Sequence, residues 1–121
     1  MYYSWSDWPG TSASEYPINP MLGLYAAVTR QTLGGEPKSG WFPAERITIE
    51  EAIRAYTYNT AYANFEETIK GSIEVGKLAD LTVLSKNLLK IPPRDYLTTE
   101  VAYTIVNGKV VYQTRDASAR D

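Results

Sequence analysis

Asp7 stands at the end of an aromatic run, MYYSWS, and is followed by Trp8 and Pro9, so a carboxylate is placed where an extended segment gives way to a loop. Tyr and Trp favour strands, and Pro9 cannot continue a central ladder. Read from local chemistry alone, such an Asp is a turn former that bonds its own backbone. Glu74, Lys77 and Asp80 lie close together and offer an acid, a base and a second carboxylate. Arg30 could serve as a recognition cation, although an Arg in a last helical turn more commonly complements the helix dipole. Tyr56, Tyr58 and Tyr62 could build a stacking surface, but Tyr58 and Tyr62 have the helical spacing of packing residues. The chain contains no histidine. That removes the commonest ligand of catalytic zinc and the commonest general base at neutral pH. It also contains no cysteine, which excludes thiolate chemistry and disulfides.

The elements that must position these groups fit one globular unit. At 121 residues and 44% hydrophobic, the chain can build one core. It is far short of the roughly 250 residues of a complete (β/α)8 barrel. The formal charge is −2, with both signs interspersed, so no cationic surface gathers a nucleic-acid backbone or anionic lipid. There is no apolar run near membrane-span length, and Met1 to Gly10 lacks the basic start and apolar centre of a signal peptide. The expectation is a cytoplasmic protein with no nucleic-acid or membrane partner.

Gly10 to Asn19 has loop composition; Asn19 then supplies an N-cap and Pro20 a first helical position for a helix over 21–33. Leu22, Tyr25, Ala26, Thr29 and Leu33 form its predicted stripe, with Gly34-Gly35 as the stop. Glu36 to Arg46 is a loop in which Trp41 and Phe42, two adjacent large aromatics, are expected to be buried as a lid over the core. Thr48 and Glu51 have capping-box spacing, and Ile49, Ala52, Ile53 and Tyr56 give a helix over 48–56 a single apolar face. A shorter helix over about 59–65 follows a break near Thr57.

The stretch Gly71 to Leu84, GSIEVGKLADLTVL, reads as a turn feeding a strand. Gly71 and Gly76 are free to take positive φ, and Ala79 to Leu84 is extended. Asn87 to Asp95 is a connecting loop. Val101 to Gln113 is a hairpin around Asn107-Gly108, the pair that a type I′ turn favours. A two-residue loop puts Ile105 opposite Val110, Tyr103 opposite Tyr112, Thr104 opposite Val111 and Val106 opposite Lys109. One face of the hairpin is expected to be buried. The fold class is α+β, with an amino-terminal strand, two main helices, a short third helix and a small antiparallel sheet of about three strands.

Taken in order, the strand-end Ser6-Asp7-Trp8-Pro9, the run AAVTR at Ala26 to Arg30, ITIEEAIRAYTYNTAYA, GSIEVGKLADL and VAYTIVNGKVVY resemble the C-terminal segment of metal-dependent amidohydrolases, in the branch that includes N-substituted formamide deformylases. The resemblance implies a last barrel strand and helical segment over 1–70, and a return strand with closing hairpin over 71–121, belonging to a composite β-sandwich and forming a single compact unit. It implies hydrolysis of a carbon–nitrogen bond other than a peptide bond, in a small amide-type substrate. Asp7 then corresponds to the aspartate at the catalytic mouth, as metal ligand and proton acceptor, with a divalent metal, zinc foremost. Glu74, Lys77 and Asp80 correspond to a turn and strand entrance away from the metal. The family's His-X-His pair and further histidines have no counterpart in this chain. Alone, the chain is therefore expected to bind zinc weakly and to hydrolyse nothing. Two forms remain open: a C-terminal fragment completed by a missing barrel, or a non-catalytic, self-associating module. Both imply association, with a second copy or with the barrel part.

Overall fold

The structure is a computed structural model that describes residues 19–114. The expected amino-terminal strand, and Asp7 with it, lie outside the described residues. Within them the order is helix α1 (Pro20–Thr29), a 3-10 turn (Pro43–Glu45), α2 (Ile49–Tyr56), α3 (Tyr58–Ala63), β1 (Leu81–Leu84), a 3-10 segment (Pro93–Thr98), β2 (Val101–Val106) and β3 (Lys109–Gln113). This is the expected α+β class, with two main helices, a short third and one three-stranded antiparallel sheet in the order β1-β2-β3. No helix among the described residues is long and apolar enough to cross a membrane.

Helix α1 starts where its residues require, with the Asn19 side chain accepting from the Met21 amide at 3.0 Å and Pro20 at the first position. It ends earlier than the predicted 33. Arg30 takes the left-handed conformation, φ 57°, and its amide donates to the Ala26 carbonyl. The Thr29 hydroxyl donates back to the Tyr25 carbonyl at 2.7 Å and accepts from the Gln31 amide, which closes the last turn. The buried face is Met21, Leu24 and Tyr25, so the predicted stripe through Leu22 and Ala26 is rotated, and Ala26 is exposed. Those three side chains join Ala52, Leu88 and Tyr96 in the core, each large one contributing roughly 1.5–3 kcal/mol by its burial. Helix α1 packs on α2 and on the 3-10 segment, and the Pro92-Pro93 stretch read as loop supplies that segment's start.

The capping box of α2 is formed as its spacing predicts. The Thr48 hydroxyl accepts from the Glu51 amide at 3.2 Å, and the Thr48 amide donates to Glu51 Oε2 at 2.8 Å. Thr48→Ala should lower the unfolding free energy by about 1 kcal/mol, measurable by urea denaturation. The break between α2 and α3 falls at Thr57, φ −114° and ψ −91°. Tyr56 closes the space behind α1: a side chain on Gly23 would collide with its hydroxyl.

Trp41 and Phe42 are not a buried lid; they are 64% and 61% exposed and meet each other edge-to-face, with ring centroids 4.6 Å apart. The loop around them explains this. Trp41 and Arg30 exchange a backbone bond of 2.7 Å and an Arg30 Nε to Trp41 carbonyl bond of 3.0 Å. The Arg46 guanidinium donates to the carbonyls of Thr29 and Ser39. With the backbone tied in this way, Phe42 is held at φ 47° and both rings point off the core.

The hairpin has its type I′ turn, with Asn107 at φ 48° and Gly108 at φ 75°. Ile105–Val110 and Val106–Lys109 pair as expected. Beyond them a bulge intervenes, so Thr104 faces Tyr112 and Tyr103 faces Gln113 in place of the predicted Val111 and Tyr112. Leu81, Val83, Tyr103, Ile105 and Val110 share one sheet face by register. The expected burial of a face is absent among the described residues, where Val83 is 41% and Val110 56% exposed. The physical reason is that α1 packs on α2 and the 3-10 segment.

Candidate functional site

The groups singled out by type fall into separate structural devices. Asp80 sits beside the hairpin: the Asn107 amide donates to its Oδ1 at 2.7 Å, and the Gly108 amide donates to the Ala79 carbonyl at 3.0 Å. Its carboxylate thereby holds the tight turn against the entrance of β1. Arg30 is committed to Trp41, bonding its carbonyl and lying 5.4 Å from its ring centroid. The structure therefore brings neither residue to a shared site.

Glu74, Lys77 and Tyr58 do converge. Gly71 and Gly76 both stand at φ 92°, and between them the chain folds so that the Ser72 hydroxyl donates to Glu74 Oε1 at 2.7 Å. Lys77 Nζ donates to Ser72 Oγ at 2.6 Å, lies 3.6 Å from Glu74 Oε1 and reaches within 5.8 Å of the Tyr58 ring. Arg54 covers the same ring at 4.2 Å. Tyr58, Glu74 and Lys77, with Glu67 and Thr68, line an open depression of about 480 Å³. The Ser72 hydroxyl, and then the Lys77 charge, hold the Glu74 carboxyl below its ordinary value. A carboxyl depressed on folding adds stability above the ordinary carboxylate range and loses it as pH falls through that range. Glu74→Gln should therefore lower stability slightly at neutral pH and converge with the unaltered chain at low pH, which flattens the acid limb of a stability–pH profile measured by urea denaturation. This is a folded turn, with its charges spent on one another.

A metal finds no such cluster. Among the described residues no group of three or more Asp, Glu, His or Cys side chains could hold an ion, and the whole sequence has no histidine. A catalytic zinc needs about three protein ligands, so the donor set of the described residues does not fit the metal that the resemblance implies. Asp7, with Ser6, Trp8 and Pro9, lies outside the described residues. Sequence reasoning passed over Arg46 and Arg94, whose guanidinium groups tie loops by donating to backbone carbonyls. Their partners are far off or in irregular loops, so no local periodicity marks them.

Comparison with known proteins extends beyond these devices. A model of the Amidohydrolase family matches residues 6–112. The chain is similar to YtcJ of Bacillus subtilis, a protein named as an amidohydrolase, with 33% identity over 86% of this chain and 20% of that protein. It is similar to N-substituted formamide deformylase of Arthrobacter pascens, with 35% identity over 84% of this chain and 19% of that protein. It is also similar to LONG AFTER FAR-RED 3 of Arabidopsis thaliana, with 36% identity over 88% of this chain and 17% of that protein. No solved structure is significantly similar. The chain spans about a fifth of the length of these curated relatives. With a family match across nearly all of the sequence, the chain belongs to the amidohydrolase family.

Proposed function

We propose that this chain is the C-terminal segment of a metal-dependent hydrolase that cleaves carbon–nitrogen bonds other than peptide bonds in small N-substituted amides or formamides. The observation that carries this reading is the family match over residues 6–112, joined to the similarity to an N-substituted formamide deformylase. In this reading the chain contributes one residue to the metal centre, Asp7. The histidine ligands come from a barrel part that this sequence does not contain, and zinc is the metal proposed. The half-exposed sheet face of Leu81, Val83, Tyr103, Ile105 and Val110 is one side of a composite β-sandwich completed by the same part. The whole works in the cytoplasm.

A second reading has its own support. Phe65, Ile73 and Val75 are 90%, 88% and 108% exposed, an apolar display suited to a self-associating, non-catalytic module. The two are separated by co-expressing the chain with a family barrel that carries the His-X-His pair but lacks this segment. Amine release from an N-substituted formamide should appear only when both parts are present. Stable association of the chain with itself, and no activity on addition of the barrel, would favour the module.

A further inference from the structure

We propose that the Trp41-Phe42 pair is the anchor by which this chain docks into an apolar pocket on the barrel part that completes it; the inference rests on the proposed function and adds the place of contact. Exposed aromatic rings in a slack loop would mean little. These two are held outward. Phe42 keeps φ 47°, a left-handed backbone that is unfavourable for any residue with a Cβ and rare for a bulky one. Its carbonyl accepts from the Glu45 amide at 2.9 Å, which ties that conformation into the start of the 3-10 turn. On the other side Gly40 is buried against the end of α1, where a Cβ would lie 2.5 Å from the Thr29 carbonyl oxygen and 2.7 Å from Arg46 Nη2. Arg30 bonds the Trp41 carbonyl and lies 5.4 Å from its ring centroid, so the indole is braced as well.

Backbone strain kept at a displayed aromatic, with the loop braced on both sides, points to a contact surface. The two rings meet edge-to-face at 71°, so they form a step and not a flat platform for a small ligand. A rigid aromatic step suits an interface anchor, because little side-chain freedom is lost when it seats. The occupant follows from length. This chain spans about a fifth of its curated relatives, and the family match runs through Trp41 and Phe42, so in a complete relative the matching stretch is joined to about four-fifths more sequence. Neither ring carries a charge, so the surface that receives them is apolar, and seating them removes two large rings from water.

The probe is YtcJ of Bacillus subtilis shortened by the stretch that is similar to this chain, and its binding to the purified chain is measured by isothermal titration calorimetry. Trp41→Ala should weaken binding by about thirtyfold or more, the scale of an interface hot spot. Phe42→Gly removes the ring and suits the left-handed backbone, so it should weaken binding likewise while the isolated chain keeps or raises its thermal midpoint. Equal binding by both variants and the unaltered chain would overturn the anchor and leave the proposed function standing. No binding of the unaltered chain would overturn the proposed function and the anchor with it. Two further results would also overturn the anchor. A lowered midpoint of isolated Phe42→Gly would assign the rings to the chain's own packing, and a dimer of the chain abolished by Trp41→Ala would assign them to a contact between two copies.

Discussion

Under the proposed function, Asp7→Asn in the enzyme completed by a barrel part is expected to lower kcat by about 10²–10⁴-fold, the range that a positioned proton acceptor contributes. The substitution keeps size and shape while removing the negative charge and the basic oxygen. Binding between the chain and the barrel part should be unchanged, because Asn and Asp are nearly equal in size and shape. Steady-state kinetics on an N-substituted formamide, together with a pull-down of the two parts, checks both halves. Activity within a few-fold of the unaltered enzyme would remove Asp7 from the chemistry and leave it as the turn former that its local setting describes.

The second large effect is on stability. Gly71→Ala should destabilise the fold by about 2–5 kcal/mol, combining roughly 1–2 kcal/mol for a left-handed backbone with about 1–3 kcal/mol for overpacking. Gly71 stands at φ 92°, and a Cβ there would lie 2.6 Å from the Ala61 Cβ and 3.1 Å from the Tyr58 Cα. Neither neighbour can yield easily, since one is backbone and the other a buried methyl. Gly76 is the internal control. It has the same φ of 92° but nothing within 4 Å of its Cβ position, so Gly76→Ala should lose only about 1–2 kcal/mol. Thermal unfolding of the two variants side by side separates backbone strain from packing. Equal losses would mean that the Ala61 contact carries no cost.

What could be read from the residues was local. The Thr48–Glu51 capping box, the Asn107-Gly108 turn and the positive φ of Gly71 and Gly76 each depend on a few neighbouring residues, and each is found in the structure. The end of α1 was not legible, because Arg30 turns left-handed under bonds to Trp41, eleven residues on. For the same reason Trp41 and Phe42 are displayed rather than buried: the Arg46 clamp on Thr29 spans seventeen residues. Strand pairing was legible up to the bulge, where one extra residue in β3 moves Tyr112 opposite Thr104. Neither Val111 nor its neighbours carries a signal for that insertion. The family, by contrast, was legible from the order of its motifs, which the match over residues 6–112 supports.

Whether this segment can hold a metal by itself is decided by the zinc content of the purified chain after equilibrium dialysis against micromolar zinc, read by inductively coupled plasma mass spectrometry. The described residues contain no ligand cluster and the sequence no histidine, so far less than one zinc per chain is expected. Near-stoichiometric zinc should appear only in the complex with the histidine-bearing barrel part. One tightly held zinc on the chain alone would contradict the claim, because it would show that this segment builds a complete metal site from its own carboxylates.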